Sequence, residues 1–168
     1  MEPAVIRSAR DDDIDRMVEL LEHGSLVEGR EDPDDRPAYR SALAEIQSTP
    51  GCDVLVAETD GVVVGMCQVM VFRHLQHHGG RCAEIESLHV HPDVRSRGIG
   101  GQLLAAAVLS AHRAGCYRVQ LTSNSQRTDA HRFYLRHGFD DSHVGFKLVT
   151  PPGPPDTDDG EGPTAPRR

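Results

Sequence analysis

The chain has 168 residues, with 26 aspartates and glutamates against 18 lysines and arginines, for a formal net charge of −8. That length suits one domain able to carry a cleft without staples, since a chain of this size buries roughly 70% of the surface it exposes unfolded. The acidic balance argues against the basic face that a nucleic-acid footprint needs, and it leaves open a cationic substrate such as an amine.

Met1-Glu2-Pro3 lacks a basic segment followed by an apolar run, so no secretory leader is expected. No apolar stretch approaches the ~20 residues of a membrane helix, so cytoplasm is the expected location and no membrane partner is expected. Residues 5–8 read as a short first strand. Three acids open residues 11–22, where Ile14, Met17, Val18 and Leu21 recur at helical spacing. Residues 28–37 are too acidic and proline-broken for a packed element. Residues 38–47 form a second helix with Leu43 and Ile46 inward, ending near Thr49-Pro50.

Two valine-rich strands, 53–59 and 62–72, flank Asp60-Gly61, a dipeptide suited to the positive φ of a tight hairpin. Residues 74–81 form a loop and 83–90 the next strand. Residues 98–114 are a long helix with Ile99, Leu103, Leu104, Ala107, Val108 and Ala111 on one side, stopped by Gly115. A strand at 116–122, a helix at 128–137 and a last strand at 143–149 complete the order. The expected class is a single α/β domain over residues 1–149, with a mixed, mostly antiparallel sheet covered by helices. Residues 150–168 are rich in proline, glycine and acids and are expected to be a disordered tail.

The four cysteines, Cys52, Cys67, Cys82 and Cys116, form no C-x-x-C pair or zinc-ligand spacing, so free thiols in a reducing compartment are expected. His74, His77 and His78, with Cys82 nearby, also match no zinc pattern, and no metal is expected. Those histidines read as a solvated or substrate-facing loop.

The segment richest in chemistry is Val90-His91-Pro92-Asp93-Val94-Arg95-Ser96-Arg97-Gly98-Ile99-Gly100-Gly101. It follows a strand and opens a helix, whose first amides lack intrahelical partners and carry partial positive charge. Glycines let an anion approach that backbone, and Arg95 and Arg97 add charge at the rim, so the site suits a pyrophosphate. It lacks the Gly-Lys-Ser/Thr of a Walker loop, and the third glycine and following acid of a dinucleotide fingerprint.

Here the sequence resembles the GNAT superfamily of acetyl-CoA-dependent N-acetyltransferases. The family's Arg/Gln-x-x-Gly-x-Gly/Ala corresponds to Arg95-Ser96-Arg97-Gly98-Ile99-Gly100, and its later tyrosine and Gly-Phe to Tyr134 and Gly138-Phe139. Residues 115–134 look most like the aminoalkylphosphonate N-acetyltransferase branch, and Ile85-Glu86 with Cys116-Tyr117 resemble glucosamine-6-phosphate N-acetyltransferases.

The resemblance implies acetyl-CoA as cosubstrate, its pantetheine arm between strands 83–90 and 116–122, pairing near Leu88, His89 and Val90. The pyrophosphate would meet the amides from Arg97 to Gly101, with Arg95, Ser96, Gly98, Ile99 and Gly100 shaping the loop. Arg127 stands where many members have asparagine, and Asn124 is the nearby candidate for a coenzyme contact. The implied acid is Tyr134, protonated at neutral pH and able to protonate the departing thiolate.

Glu84 and Glu86 alternate with Ile85, hence share a face with each other and, by simple alternation, with Leu88 and Val90. Apolar neighbours would raise a carboxyl toward base strength, with Glu86 the first candidate and Glu84 the second. Arg127, His143 and Lys147 could receive an anionic acceptor group. The expected reaction is direct attack of a small-molecule primary amine on acetyl-CoA in a ternary complex. A protein amine as acceptor, a non-catalytic acyl-CoA-binding regulatory module, and a homodimer remain open.

Overall fold

Hydrophobic alternation lays down five strands, and the structure, a computed structural model describing residues 4–150, orders them β1-β2-β3-β4-β5. The strands are β1 (Val5–Ser8), β2 (Asp53–Thr59), β3 (Val62–Arg73), β4 (Arg81–Val90) and β5 (Cys116–Leu121). Each of the first four runs antiparallel to its neighbour and β5 runs parallel to β4, so the expected mixed, mostly antiparallel α/β sheet is present. Asp60 and Gly61 have φ of 52° and 76°, the left-handed pair that a two-residue hairpin between right-twisted strands requires.

Helices cover both faces. The three acids form a 3-10 turn, Asp11–Asp13, that leads into α1 (Ile14–Gly24). Asp13 is buried and takes two hydrogen bonds from Arg7, at 2.6 and 2.9 Å, which hold its carboxyl below the usual range. Arg7 also reaches Glu58, so one guanidinium ties the helix start to β1 and β2. α2 (Arg36–Ser48) begins earlier than the sequence suggests. Asp35 caps it by accepting from the Ala38 amide at 3.2 Å, and Pro37 sits in the first turn, where a missing N–H costs nothing. α1 and α2 bury Ile14, Met17, Val18, Leu20 and Leu43 against Val54, Val56, Val63 and Met66.

The opposite face is covered by α4 (Ile99–Arg113), whose Ile99, Leu103, Leu104, Ala107 and Ala111 pack on Cys67, Val69, Ala83 and Ile85. Val108, expected on that inner side, is exposed. α5 (Thr128–Arg136) follows β5, with Phe133 and Tyr134 against the same cluster. Between β3 and β4 lies a single turn, α3 (Gln76–Gly79), with His77 and His78 left-handed inside it. Among the described residues no helix is long and apolar enough to cross a membrane. All four cysteines are free, Cys67 and Cys82 fully buried.

The last expected strand is absent: residues 143–149 form no ladder. Val144, Phe146 and Leu148 are 80%, 96% and 88% exposed. Alternating residues supply a strand's period but not its partner; at Gly145 the segment comes close to Thr122, just beyond the end of β5, without pairing. The proposed tail at 150–168 lies, beyond Thr150, outside the described residues.

Candidate active site

β4 carries the site because its pairing changes half-way. Parallel pairing with β5 runs from Arg81 to Ile85 and stops, while pairing with β3 continues to Val90. From Glu86 onward, the edge of β4 that faces β5 is outside the ladder. A bulge accompanies the break: Glu86 pairs with Gln68 and His89 with Met66, so Ser87 and Leu88 together oppose Cys67. Ser87 takes φ of 51° to accommodate the extra residue.

The bulge corrects the expected face assignment. One inserted residue reverses every later side chain, so Leu88 and Val90 pack with Ile85 in the α4 cluster rather than sharing the face of Glu84 and Glu86. His89 instead turns toward α1, where it occupies the space left by Gly24: a Cβ there would lie 2.1 Å from His89 Nδ1. Burial, reinforced by Arg127 and Arg95, pushes His89 down to about 4, so it is neutral at neutral pH.

After β4, Pro92–Val94 forms a 3-10 turn, and Arg95 donates from Nε to the Val90 carbonyl at 3.1 Å. Ser96 and Gly98 then take φ of 61° and 81°, curling an exposed backbone into the start of α4. The first amide of this turn to bond back along the helix is that of Gln102, to the Gly98 carbonyl at 3.1 Å. The amides of Ile99, Gly100 and Gly101 therefore form the free positive end of a 15-residue helix. A Cβ at Gly98 would meet nothing within 4 Å, so glycine is needed there for its φ; one at Gly100 would touch Phe133 at 3.5 Å, an ordinary contact.

The two carboxylates are differently held. Glu84 lies opposite Gln120 of β5, which donates to it at 2.6 Å. Glu86 lies past the end of that ladder, and burial, then the charge of Glu84, raises its carboxyl; Lys147 and the Ser87 amide pull the other way. Tyr134 is half-buried, with ring centroids 5.2 Å from Phe133 and 5.9 Å from Phe139. Burial raises its phenol above the usual 10, and the charge of Glu86 acts in the same direction. Glu86 and Tyr134 thus lie within electrostatic reach of each other, one ready to accept a proton and the other holding one.

Arg127 spans the molecule: it donates to the Gly24 carbonyl, joining the start of α5 to the end of α1, and it lowers the pKa of both Tyr134 and His89. Asn124 shapes the turn before α5. Its side chain accepts from the Gln126 amide at 2.9 Å, and its carbonyl accepts from the Arg127 amide and from His131 Nε2, both at 2.9 Å. His143 is exposed on the segment without secondary structure. His77 stacks on Tyr117 with centroids 4.1 Å apart, at the Arg81 end of β4 and thus remote from Glu86. Burial raises the Cys116 thiol, which does not suit it as a nucleophile. Sequence reasoning missed three features: the Ser87 bulge, the seat of His89 on Gly24, and the Arg127 tie.

The model of the acetyltransferase (GNAT) family matches residues 14–139, spanning α1, the coenzyme loop candidate and α5. The chain belongs to this family. It is an acetyl-CoA-dependent acyltransferase, the expected class. It is 41% identical over 112 residues to the aminoalkylphosphonate N-acetyltransferase of Salmonella typhimurium, covering 67% of this chain and 72% of that one. It is 30% identical over 115 residues to the glucosamine 6-phosphate N-acetyltransferase 1 of Oryza sativa subsp. japonica, covering 66% and 67%. A crystal structure from Bacillus halodurans, described as a transcriptional regulator, superposes with a TM-score of 0.83 at 36% identity, covering 88% of this chain and 99% of that one.

Proposed function

We propose that this acetyltransferase acylates the primary amine of a small molecule that also carries an anionic group, by direct attack in a ternary complex. The observation that carries the reading is the half-paired β4, which opens beside Glu86 and ends at an amide-rich loop. Acetyl-CoA fits this layout. Its amide-bearing arm needs backbone partners, which residues 86–90 can give, and its pyrophosphate needs the amides and cationic rim of residues 95–101. Acetyl-CoA supplies the activated acyl carbon.

The protein's part is proton handling and orientation. Glu86 takes a proton from the bound ammonium, so that the nitrogen lone pair is free to form the new C–N bond as the C–S bond breaks. Tyr134 donates its phenolic proton to the departing sulfur and recovers one from the acylated nitrogen, while Glu86 returns its proton to solvent. The products are an amide, a free thiol and one proton. Arg127, held by the Gly24 carbonyl, and Lys147, close enough to act on Glu86, supply positive charge for an anionic group on the acceptor. Two relatives whose names give a phosphonate- and a phosphate-bearing amine as acceptor support that choice.

The test is thiol release from acetyl-CoA over a panel of amines. Aminoalkylphosphonates and amino-sugar phosphates should turn over, and their neutral analogues should show raised KM. Turnover of peptide lysines alone would move the acceptor to protein. Coenzyme binding with no thiol release from any amine would favour a regulatory module, in keeping with the regulator from Bacillus halodurans that shares the fold.

A further inference from the structure

We propose that Glu19, His23 and His91 form a site for a transition-metal dication of the zinc type, clamping α1 to the base of the coenzyme loop. Glu19 and His23 are one turn apart on α1, and His91 is the first residue after β4. One ligand atom from each lies within 4.8 Å of the others, and no other such group exists among the described residues. His91 Nε2 is 3.5 Å from Glu19 Oε1, and the two imidazole centroids are 5.1 Å apart at 56°. Zinc bonds of about 2.0–2.2 Å place tetrahedral ligand atoms roughly 3.3 Å apart. The Glu19–His91 pair therefore already has the right separation, and the exposed His23 closes the rest by a small side-chain rotation.

The hydrogen bonds around the triad prepare the ligand atoms of His23 and Glu19. His23 Nδ1 lies 2.8 Å from the Glu19 carbonyl, which can only accept, so Nδ1 carries the proton and Nε2 keeps its lone pair. That is the outer-shell arrangement typical of a metal-binding histidine. His91 Nδ1 instead accepts from the Asp93 amide at 3.4 Å, which places the ring proton on Nε2 beside Glu19; metal binding at Nε2 releases that proton to solvent. Arg16 occupies the other oxygen of Glu19, which orients the carboxylate and leaves Oε1 facing His91. Two imidazoles and one carboxylate suit zinc, cobalt or nickel and do not suit magnesium or calcium.

The site was invisible in the sequence because its members are scattered from residue 19 to 91, whereas the clustered His74, His77 and His78 form no such group. It shares no ligand with the acyl-transfer residues, so it stands or falls separately from the proposed reaction. Its effect would be mechanical: His91 immediately precedes the turn that leads to Arg95 and Gly98.

The test uses the full chain without an affinity tag, stripped with chelator and titrated with zinc in a calorimeter. One equivalent should bind, and the melting temperature should rise. Magnesium should give neither effect. Loss of an outer-shell partner typically costs 10–100-fold in metal affinity, so loss of a ligand through His23→Ala or Glu19→Gln should cost at least about tenfold. The His77→Ala/His78→Ala double variant should bind like the parent. His23 is exposed, and His23→Ala should melt like the metal-free parent, so a binding loss there cannot be blamed on unfolding. Unchanged zinc affinity in His23→Ala, loss in the His77/His78 variant, or no zinc binding by the parent would overturn the site.

Discussion

Within β4, residues 81–85 have a strand on each side, whereas residues 86–90 have only β3. The first half contributes fully buried Cys82, Ala83 and Ile85 to the core, and its one carboxylate, Glu84, is tied to Gln120 of the neighbouring strand. The second half is bulged at Ser87, contains no fully buried residue, and carries Glu86 past the end of the ladder. Ladder bonds that satisfy the backbone in one half are withheld in the other, and those unmet groups are what a coenzyme arm can use. Stability and function thus divide along a single strand, and the division can be tested from both sides.

The largest effect should come from the chemistry at the open half. Tyr134→Phe removes a proton donor that acts only as the C–S bond breaks, so turnover should fall by about a hundredfold or more while coenzyme affinity holds. Stopped-flow thiol release together with calorimetry separates the two, and a fall in affinity equal to the fall in turnover would make Tyr134 a packing residue. Next in size is a variant of the closed half. Ile85→Ala should cost about 2–5 kcal/mol of unfolding free energy, whereas Leu88→Ala, only half-buried, should cost less. Urea unfolding checks this, and equal losses at the two positions would erase the distinction between the halves.

Much of this layout could be read in the sequence. Hydrophobic period gave the strands and helices, Asp60-Gly61 gave the hairpin, and the glycine-rich turn before a helix gave the loop. The bulge could not be read, because Ser87 carries no glycine or asparagine signal for its left-handed φ. Missing it moved Leu88 and Val90 to the wrong face. The 143–149 segment shows the converse error, since Val144, Phe146 and Leu148 have a strand's alternation but find no edge to join. Long-range ties such as Arg127 to Gly24 depend on how α1 and α5 come together, which no local pattern encodes.

A smaller effect should distinguish two glycines of the loop. Gly98 is left-handed with open space around it, and placing a side chain there costs about 1–2 kcal/mol. Gly98→Ala should therefore weaken coenzyme binding by up to roughly 5–30-fold. Gly100→Ala adds a methyl at ordinary contact distance from Phe133 and should bind nearly as the parent. Calorimetry with coenzyme A decides, and the opposite ranking would place the pyrophosphate deeper along α4.

The smallest effect is the most specific to the pairing of the two carboxylates. Burial raises the Glu86 carboxyl most, and the charge of Glu84 adds to it. A base must be ionised to act, so the acidic limb of kcat/KM should lie above the ordinary carboxylate range. Glu84→Gln removes a negative neighbour that makes ionisation of Glu86 harder; the Glu86 pKa then falls and the limb moves to lower pH. Lys147→Gln removes a positive neighbour that makes ionisation easier, so its limb moves to higher pH. Both shifts should be smaller than the full elevation, because burial persists in each variant. Glu86→Gln should abolish the limb altogether. If instead Glu84→Gln abolishes it and Glu86→Gln only displaces it, the base belongs to the closed half of β4, and the ladder bond from Gln120 is part of how it is tuned.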